Sequence, residues 1–313
     1  MKTKTLCQLA LALALTGGLA SQPVMAAQAE SNATALQHCD CFNVRVVGAG
    51  GNGPEVILIP GLASSGDVWQ STVETLQQNY QLHILTLAGF AGVAPIPAQN
   101  WGNGYLTLQQ DAILRYIREQ QLQKPVVIGH SLGGYLALAL AATAPEQIGG
   151  AINVDGLPAL GALFAASSSS QSDSSDAGNT RQPQGGFDAM ALAKSMASEP
   201  QWQQRIVKDM YQSDGMTSGR VMGERMRADL RPALSNISVP VLTLGALQHG
   251  APYSTPEQVQ ANYETQLANA PKQYHSFAFS RDSRHFIMAD APDWLNRQIQ
   301  QFLLNHYSSE AAL

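Results

Sequence analysis

The chain has 313 residues and a formal net charge of −5 at pH 7, which argues against a nucleic-acid partner because such proteins present a basic face. Charged residues make up 13% of the chain, about half of the usual share, so Gln, Asn and Ser carry much of the surface polarity. The length allows one large α/β domain or two small ones.

The first 26 residues have the pattern of a secretory signal peptide. Lys2 and Lys4 precede an apolar run at 6–20, and small residues precede a predicted cleavage site after Ala26. The apolar run is too short and too interrupted for a stable membrane span. Cleavage removes two lysines and no acid, so the net charge moves from −5 to −7. We expect the protein to be exported, either to the periplasm or to the medium.

Two cysteines remain after this cleavage, Cys39 and Cys41. In an oxidising compartment they can pair with each other, although such a bridge closes a small, strained ring. His38 is the one histidine beside them, whereas zinc usually takes three or four protein ligands. The sequence therefore favours a disulfide or two inert thiols over a metal site, and it predicts neither a metal nor a cofactor.

The spacing of apolar residues predicts strands that alternate with helices along most of the chain. Strands are predicted at 42–47, 55–59, 82–87, 125–128, 151–154, 239–244 and 273–279, and helices at 67–80, 106–121, 135–143, 255–268 and 291–305. Asp67 is expected to cap the first helix. The glycine-rich run at 48–53 joins two strands, so it is interpreted as a hairpin turn. This alternation predicts an α/β fold with a mostly parallel sheet and helices on both faces.

A helical insertion is predicted to divide this core. Residues 27–158 and 237–313 form the two parts of the core, and residues 159–236 form a cap. Within the cap, the Ser-rich tract 165–186 has almost no large apolar residues and cannot bury enough surface to order itself. Six methionines follow at positions 190, 196, 210, 216, 222 and 226. They are interpreted as helix packing, and the alternative is a mobile cap with an apolar inner face.

The most informative segment is GHSLGG at 129–134, which follows an apolar strand and leads into a helix. Gly129 and Gly133 stand two positions either side of Ser131, where a tight strand-to-helix turn leaves no room for a Cβ atom. Such a turn exposes the serine hydroxyl at the edge of the sheet, beside the amide of Leu132 and a helix N-terminus. The pattern predicts that Ser131 is a nucleophile.

A nucleophilic serine needs a base, and the base needs a third group that orients it. The predicted base is His285, within RHFIMADAP (284–292) and just before the final helix. Here the chain resembles the α/β-hydrolase family. GHSLGG resembles the nucleophile turn of that family, RHFIMADAP resembles its histidine loop, and LIPGLASSG (58–66) resembles the segment that supplies an oxyanion amide. The resemblance runs from about residue 42 to 304, apart from the cap.

This resemblance implies a Ser-His-Asp triad with an oxyanion hole formed by the backbone amides of Leu62 and Leu132. Pro60 stands where the family usually has a histidine, which leaves the backbone role intact. His130 precedes the serine and is expected to point into the fold, since adjacent strand residues face opposite ways.

The predicted triad acid departs from the usual family pattern. The family generally places the acid after the penultimate strand, where this chain has Gln248. Some members instead keep it one strand earlier, where Asp155 follows the strand at 151–154. Asp155 is therefore predicted to orient His285, although it could simply cap a turn. Asp282 is the alternative acid, and Asp290 is interpreted as the cap of the final helix.

The sequence thus predicts an exported serine hydrolase that cleaves a small or medium ester-type substrate through an acyl-enzyme. Amidase, peptidase and C–C hydrolase chemistry by the same triad stay open. An alternative from another class is a catalytically silent α/β-hydrolase that serves as a binding protein, which the departures at Gln248 and Pro60 keep open. The expected partner is a small acyl substrate, and neither its identity nor the oligomeric state is predicted.

Overall fold

The computed structural model describes residues 41–48, 50–51, 53–164, 187–248 and 255–307. The predicted signal peptide, Cys39 and the Ser-rich tract at 165–186 lie outside the described residues. The disulfide therefore stays a prediction. Cys41 itself is buried, and its backbone carbonyl accepts hydrogen bonds from the Ala88 amide and the Gln109 side chain.

Seven strands form one sheet within the described residues. They are β1 (Phe42–Val47), β2 (Val56–Ile59), β3 (Leu82–Leu87), β4 (Val126–His130), β5 (Gly150–Val154), β6 (Val241–Ala246) and β7 (His275–Ser280). Their spatial order is β1-β3-β2-β4-β5-β6-β7, and all neighbours are parallel except β1 and β3. Strands β2, β4, β5 and β6 are buried along their whole length, as expected for strands covered on both faces. The mostly parallel α/β sheet predicted from the sequence is confirmed.

Nine α-helices accompany the sheet in the described residues. They are α1 (Gln70–Leu76), α2 (Tyr105–Glu119), α3 (Leu132–Thr143), α4 (Ala189–Met196), α5 (Pro200–Gln212), α6 (Gly215–Arg227), α7 (Pro256–Gln266), α8 (Ile287–Asp290) and α9 (Pro292–Tyr307). Helix α3 follows the central strand β4, and its residues 132–142 are all buried. None of the helices in the described part of the chain is long and apolar enough to cross a membrane.

The predicted hairpin at 48–53 is wrong. Strand β1 does not pair with β2, because β3 lies between them and pairs antiparallel with β1 along its whole length. The central position of β2, between β3 and β4, is the one expected for a continuously apolar strand. The half-exposed β1 is left at the edge of the sheet.

The predicted capping role of Asp67 is also wrong. The chain enters a 3-10 turn at Gly66–Trp69 before α1 begins, so Asp67 lies inside that turn and the N-cap position falls to Ser65. The carboxylate of Asp67 instead forms ion pairs with Arg45 and Arg205, at 3.5 and 3.4 Å.

Helices α4, α5 and α6 lie between β5 and β6 in the chain, where the helical cap is predicted. The cap methionines behave in two ways. Met196 and Met210 pack against the core, as predicted. Met216, Met222 and Met226 are exposed on α6, so the packing interpretation is wrong for these three. Their helix has a glycine on each turn, at positions 215, 219 and 223, and its buried residues are Thr217, Val221 and Arg225.

Candidate active site

Ser131 lies at the carboxyl end of β4 and at the N-cap of α3, in a backbone conformation with φ 54° and ψ −109°. A positive φ in a non-glycine residue costs about 1–3 kcal/mol and is concentrated at functional sites. A Cβ atom on Gly129 would overlap the Gly133 carbonyl, and one on Gly133 would overlap the Ile59 carbonyl. The glycine spacing around Ser131 therefore has the steric origin predicted from the sequence.

The loop at residues 60–65, named the oxyanion loop after the role predicted for Leu62, lies directly beside this serine. A Cβ atom placed on Gly61 would be 3.3 Å from the Ser131 Cβ, and Leu62 is the next residue along. Leu132 is the first residue of α3, where a backbone N–H has no acceptor within the helix. Both candidate oxyanion amides therefore belong to segments that flank Ser131.

His285 and Asp155 are brought together across the carboxyl edge of the sheet. The Nδ1–H of His285 donates to Oδ2 of Asp155 over 2.6 Å. Asp155 follows β5, is 4% exposed, and also has a positive φ, of 51°. Gln248 donates its side-chain amide to the Arg281 carbonyl over 3.0 Å, and Asp282 is exposed. The structure thus joins His285 to Asp155 rather than to either rival position.

The other oxygen of Asp155 is held by two donors. The backbone N–H of Ala246 and the hydroxyl of Tyr263 each donate to Oδ1 over 2.7 Å. Burial, and then the adjacent carboxylate, raise the pKa of Tyr263 well above its ordinary value, so the phenol keeps the proton that it donates. Sequence reasoning missed Tyr263, because its only signal was the apolar face that it shares with Val259 on α7.

His130 points into the fold, as expected, and contacts both the ring and the backbone of the candidate base His285. The ring of His130 is fully buried, and its centroid lies 4.6 Å from that of His285. The Nε2–H of His130 donates to the backbone carbonyl of His285 over 3.0 Å. Burial, reinforced by the neighbouring His285, lowers the pKa of His130 to about 3. His130 is therefore neutral at physiological pH and holds the backbone of His285 in place.

The predicted capping role of Asp290 is wrong. Asp290 ends the short helix α8, and α9 begins two residues later at Pro292, so its carboxylate turns back toward the histidine loop (residues 281–286). It accepts the backbone N–H of Arg284 over 2.8 Å and that of Ser198, in the cap, over 2.8 Å. Asp290 thus connects the residue before His285 to the cap.

Within the part of the chain that the structure describes, no group of three or more His, Cys, Asp or Glu side chains is arranged to hold a metal ion.

Known proteins resemble this chain in sequence and in fold. A family model described as alpha/beta hydrolase fold matches residues 54–230. The pimeloyl-[acyl-carrier protein] methyl ester esterase of Aliivibrio fischeri is 31% identical over 112 residues, and the match covers 36% of this chain and 40% of that protein's length. The esterase of the same name from Pectobacterium atrosepticum is 26% identical over 262 residues, covering 77% of this chain and 96% of the relative. The crystal structure of the enol-lactonase from Burkholderia xenovorans superposes with a TM-score of 0.64 at 18% identity, covering 85% of this chain and 98% of that chain.

Proposed function

The chain belongs to the α/β-hydrolase fold family, and from this premise we propose that it is a serine hydrolase that cleaves small or medium-sized carboxylic esters. The observation that carries the proposal is the 2.6 Å hydrogen bond between His285 Nδ1 and the buried Asp155. This bond fixes the proton on Nδ1, so Nε2 of His285 is left with a lone pair that can accept the proton of a serine hydroxyl.

The chemistry follows from these roles in two half-reactions. His285 takes the proton of Ser131 as Oγ attacks the acyl carbon, and Asp155 stabilises the imidazolium that forms. The amides of Leu62 and Leu132 stabilise the oxyanion of the tetrahedral intermediate. The intermediate collapses to an acyl-enzyme, and the alcohol leaves with the proton from His285. Water then attacks the acyl group with His285 as base, which releases the acid and restores Ser131.

The relatives support an ester-type substrate. Two of them are named as methyl ester esterases and one structural neighbour as an enol-lactonase, and all three names describe acyl–oxygen bonds. The acyl group and the alcohol are best determined with a panel of p-nitrophenyl esters of graded chain length, with arylamides as the contrasting bond type.

We also propose that the protein acts after export. The support is the basic start, short apolar run and small residues of positions 1–26. N-terminal sequencing of the protein recovered from a periplasmic or culture fraction is expected to begin at residue 27. Recovery of the uncleaved chain in the cytoplasm would contradict export without affecting the proposed chemistry.

A fluorophosphonate probe tests the nucleophile directly. The probe is expected to modify Ser131 stoichiometrically, and Ser131→Ala is expected to remove both the labelling and the ester hydrolysis. Ser235→Ala, at an exposed serine of the cap, is the matched control and should change neither. If the folded protein carries no adduct on Ser131 and hydrolyses no ester, the enzyme proposal fails and a binding role for the fold is favoured.

A further inference from the structure

Helix α5 of the cap is hydrogen-bonded to the oxyanion loop through Asp209. The Oδ2 atom of Asp209 accepts both the backbone N–H of Ser65, over 2.8 Å, and its hydroxyl, over 2.7 Å. Asp209 is 5% exposed. Hydrogen bonds to an ionised group with little access to water are stronger than neutral ones, so this contact fixes the end of the loop that contains Leu62.

The opposite end of α5 is attached to the histidine loop. Ser198 lies two residues before the helix, and its backbone N–H and hydroxyl donate to the carboxylate of Asp290 over 2.8 and 3.2 Å. Asp290 also accepts the N–H of Arg284. The N–H of Phe286 donates to the Met196 carbonyl over 2.9 Å. Both residues that flank His285 are therefore held by contacts that lead to the cap.

The segment between these two attachments is a continuous helix packed onto the core. Helix α5 has 13 residues, and the ten from Pro200 to Asp209 span about 15 Å at the usual rise. The Gln203 side chain donates to the Ala197 and Ser198 carbonyls, both over 3.0 Å, and thus fixes the turn before the helix. Ile206 is 4% exposed in the core. A hydrogen-bonded helix held at both ends and in its middle is stiff, so a displacement at one end is transmitted to the other.

We propose that α5 is a brace that sets the position of the oxyanion loop relative to the histidine loop, with Asp209 and Asp290 as positioning residues. This inference rests on the proposed function and assigns the cap a part in the chemical step. Misplacement of reacting groups by about 1 Å can cost a hundredfold in rate. The brace therefore acts mainly on kcat, because its contacts lie on the loops that carry the reacting groups.

The test compares alanine variants of the full-length chain with p-nitrophenyl butyrate as substrate. Asp209→Ala and Asp290→Ala are each expected to lower kcat by about 10- to 100-fold, with KM within about twofold, and to slow fluorophosphonate labelling of Ser131 in parallel. Because both residues act through one helix, the double variant should lose less than the product of the two single losses. Ser65→Ala removes only one of the two bonds to Asp209, so a smaller loss is expected from a variant that keeps the fold intact.

Asp214→Ala is the matched control. Asp214 is also in the cap, and its Oδ1 likewise accepts a backbone N–H and a hydroxyl, those of Thr217 at 2.7 and 2.6 Å, but it caps its own helix α6. This variant should lower the melting temperature and leave kcat within about twofold of the wild type.

The outcomes separate the brace from the enzyme proposal. If the wild type is active and neither Asp209→Ala nor Ser65→Ala lowers kcat, the brace is overturned while the proposed function stands. The same holds if the two variants change only KM. A wild type that is neither labelled nor active overturns the proposed function. Amide hydrogen exchange tests the brace in either case. Asp209→Ala should accelerate exchange at the N–H of Phe286, which is bonded to the Met196 carbonyl before α5, and unchanged exchange there overturns the brace.

Discussion

The two turns that carry Ser131 and Asp155 occupy equivalent places in the sheet. Each residue follows one of the adjacent parallel strands β4 and β5, and each has a positive φ, of 54° and 51°. Their backbone N–H groups donate in the same way to the next strand, that of Ser131 to the Val154 carbonyl over 2.9 Å and that of Asp155 to the Leu244 carbonyl over 2.8 Å. Two strained residues thus stand side by side on one edge.

The turns differ in what holds them. The turn at Ser131, the serine turn, leads into α3. It depends on the absence of Cβ atoms at Gly129 and Gly133, which leaves space for close backbone contacts. The turn at Asp155, the acid turn, is instead held by hydrogen bonds from side chains. Asn153 accepts the Gly156 N–H over 3.0 Å and donates to the Gly156 carbonyl over 2.8 Å, while Tyr263 holds Asp155 itself. A turn of the first kind leaves a recognisable local motif, whereas one of the second kind does not.

The largest effect is expected from neutralising the acid turn. Asp155→Asn should lower kcat by about 10³- to 10⁴-fold, as the equivalent change does in a serine protease triad, because an amide permits the wrong histidine tautomer. Gln248→Ala, at the usual family position of the acid, is the control and should stay within about twofold. Steady-state hydrolysis of p-nitrophenyl butyrate measures both. If Gln248→Ala is the more harmful change, the assignment of the acid to Asp155 is wrong.

Glycine substitutions should distinguish the two turns by stability. A Cβ on Gly133 would lie 2.3 Å from the Ile59 carbonyl oxygen and 2.8 Å from that of Pro60. Both are backbone atoms that cannot rotate away, so Gly133→Ala should cost about 3–5 kcal/mol of unfolding free energy. A Cβ on Gly156 would lie 2.4 Å from the Asn153 side-chain oxygen and also 2.8 Å from the Ser131 backbone carbonyl. Rotation of the Asn153 side chain relieves the first overlap at the cost of its hydrogen bonds but leaves the second, so Gly156→Ala should cost less than Gly133→Ala, about 2–3 kcal/mol. Urea unfolding measures the difference, and equal losses would remove this distinction between the turns.

Tyr263→Phe sharpens the comparison, because it removes one side-chain support of the acid turn and leaves the serine turn untouched. The variant deletes a hydrogen bond to a buried carboxylate, which is worth about 1.5–3 kcal/mol, and kcat should fall about tenfold as Asp155 loosens. Tyr211→Phe, at an exposed tyrosine of the cap, is the control with the same chemical change. An unaltered kcat in Tyr263→Phe would show that Ala246 and His285 suffice to hold the acid.

A more gradual effect, spread over several pH units, concerns the residues just before the two turns, His130 and Val154, which are paired neighbours in the sheet. Only His130 titrates, and burial lowers its pKa from 6.5 to about 3. Between pH 6.5 and 3, His130 is therefore protonated in the unfolded chain but neutral in the folded chain. The unfolding free energy should be level above pH 6.5 and fall as the pH drops toward 3, by up to about 1.4 kcal/mol per pH unit from this residue. His275, whose pKa burial lowers to about 4, contributes with the same sign.

The variant His130→Gln tests this contribution, because glutamine can donate to the His285 carbonyl without titrating. Urea midpoints of the wild type and the variant at pH 7, 6 and 5 should show a shallower decline in the variant. The same decline in both proteins would mean that groups other than His130 control the acid sensitivity.

The sequence was informative where the cause of the structure is local. Burial on both faces produces the apolar runs of β2 and β4, and a backbone that lacks space produces the glycines around Ser131. The pairing of β1 with β3 was missed, since apolar alternation does not specify a neighbour. Contacts such as Tyr263 with Asp155 and Asp209 with Ser65 were also missed, because they join residues 108 and 144 positions apart and give neither partner a local pattern.

The burial of helix α3 determines the order in which parts of the protein unfold. Its residues 132–142 are all buried, so the helix has no solvent-facing side from which it could fray or separate while the rest stays folded. Segments of this kind exchange their amide hydrogens only when the whole domain opens. The turn at Ser131 begins this helix, and it therefore belongs to the last cooperative unit to open. A partly opened molecule would therefore keep the backbone turn at Ser131 even after its surface helices had unfolded.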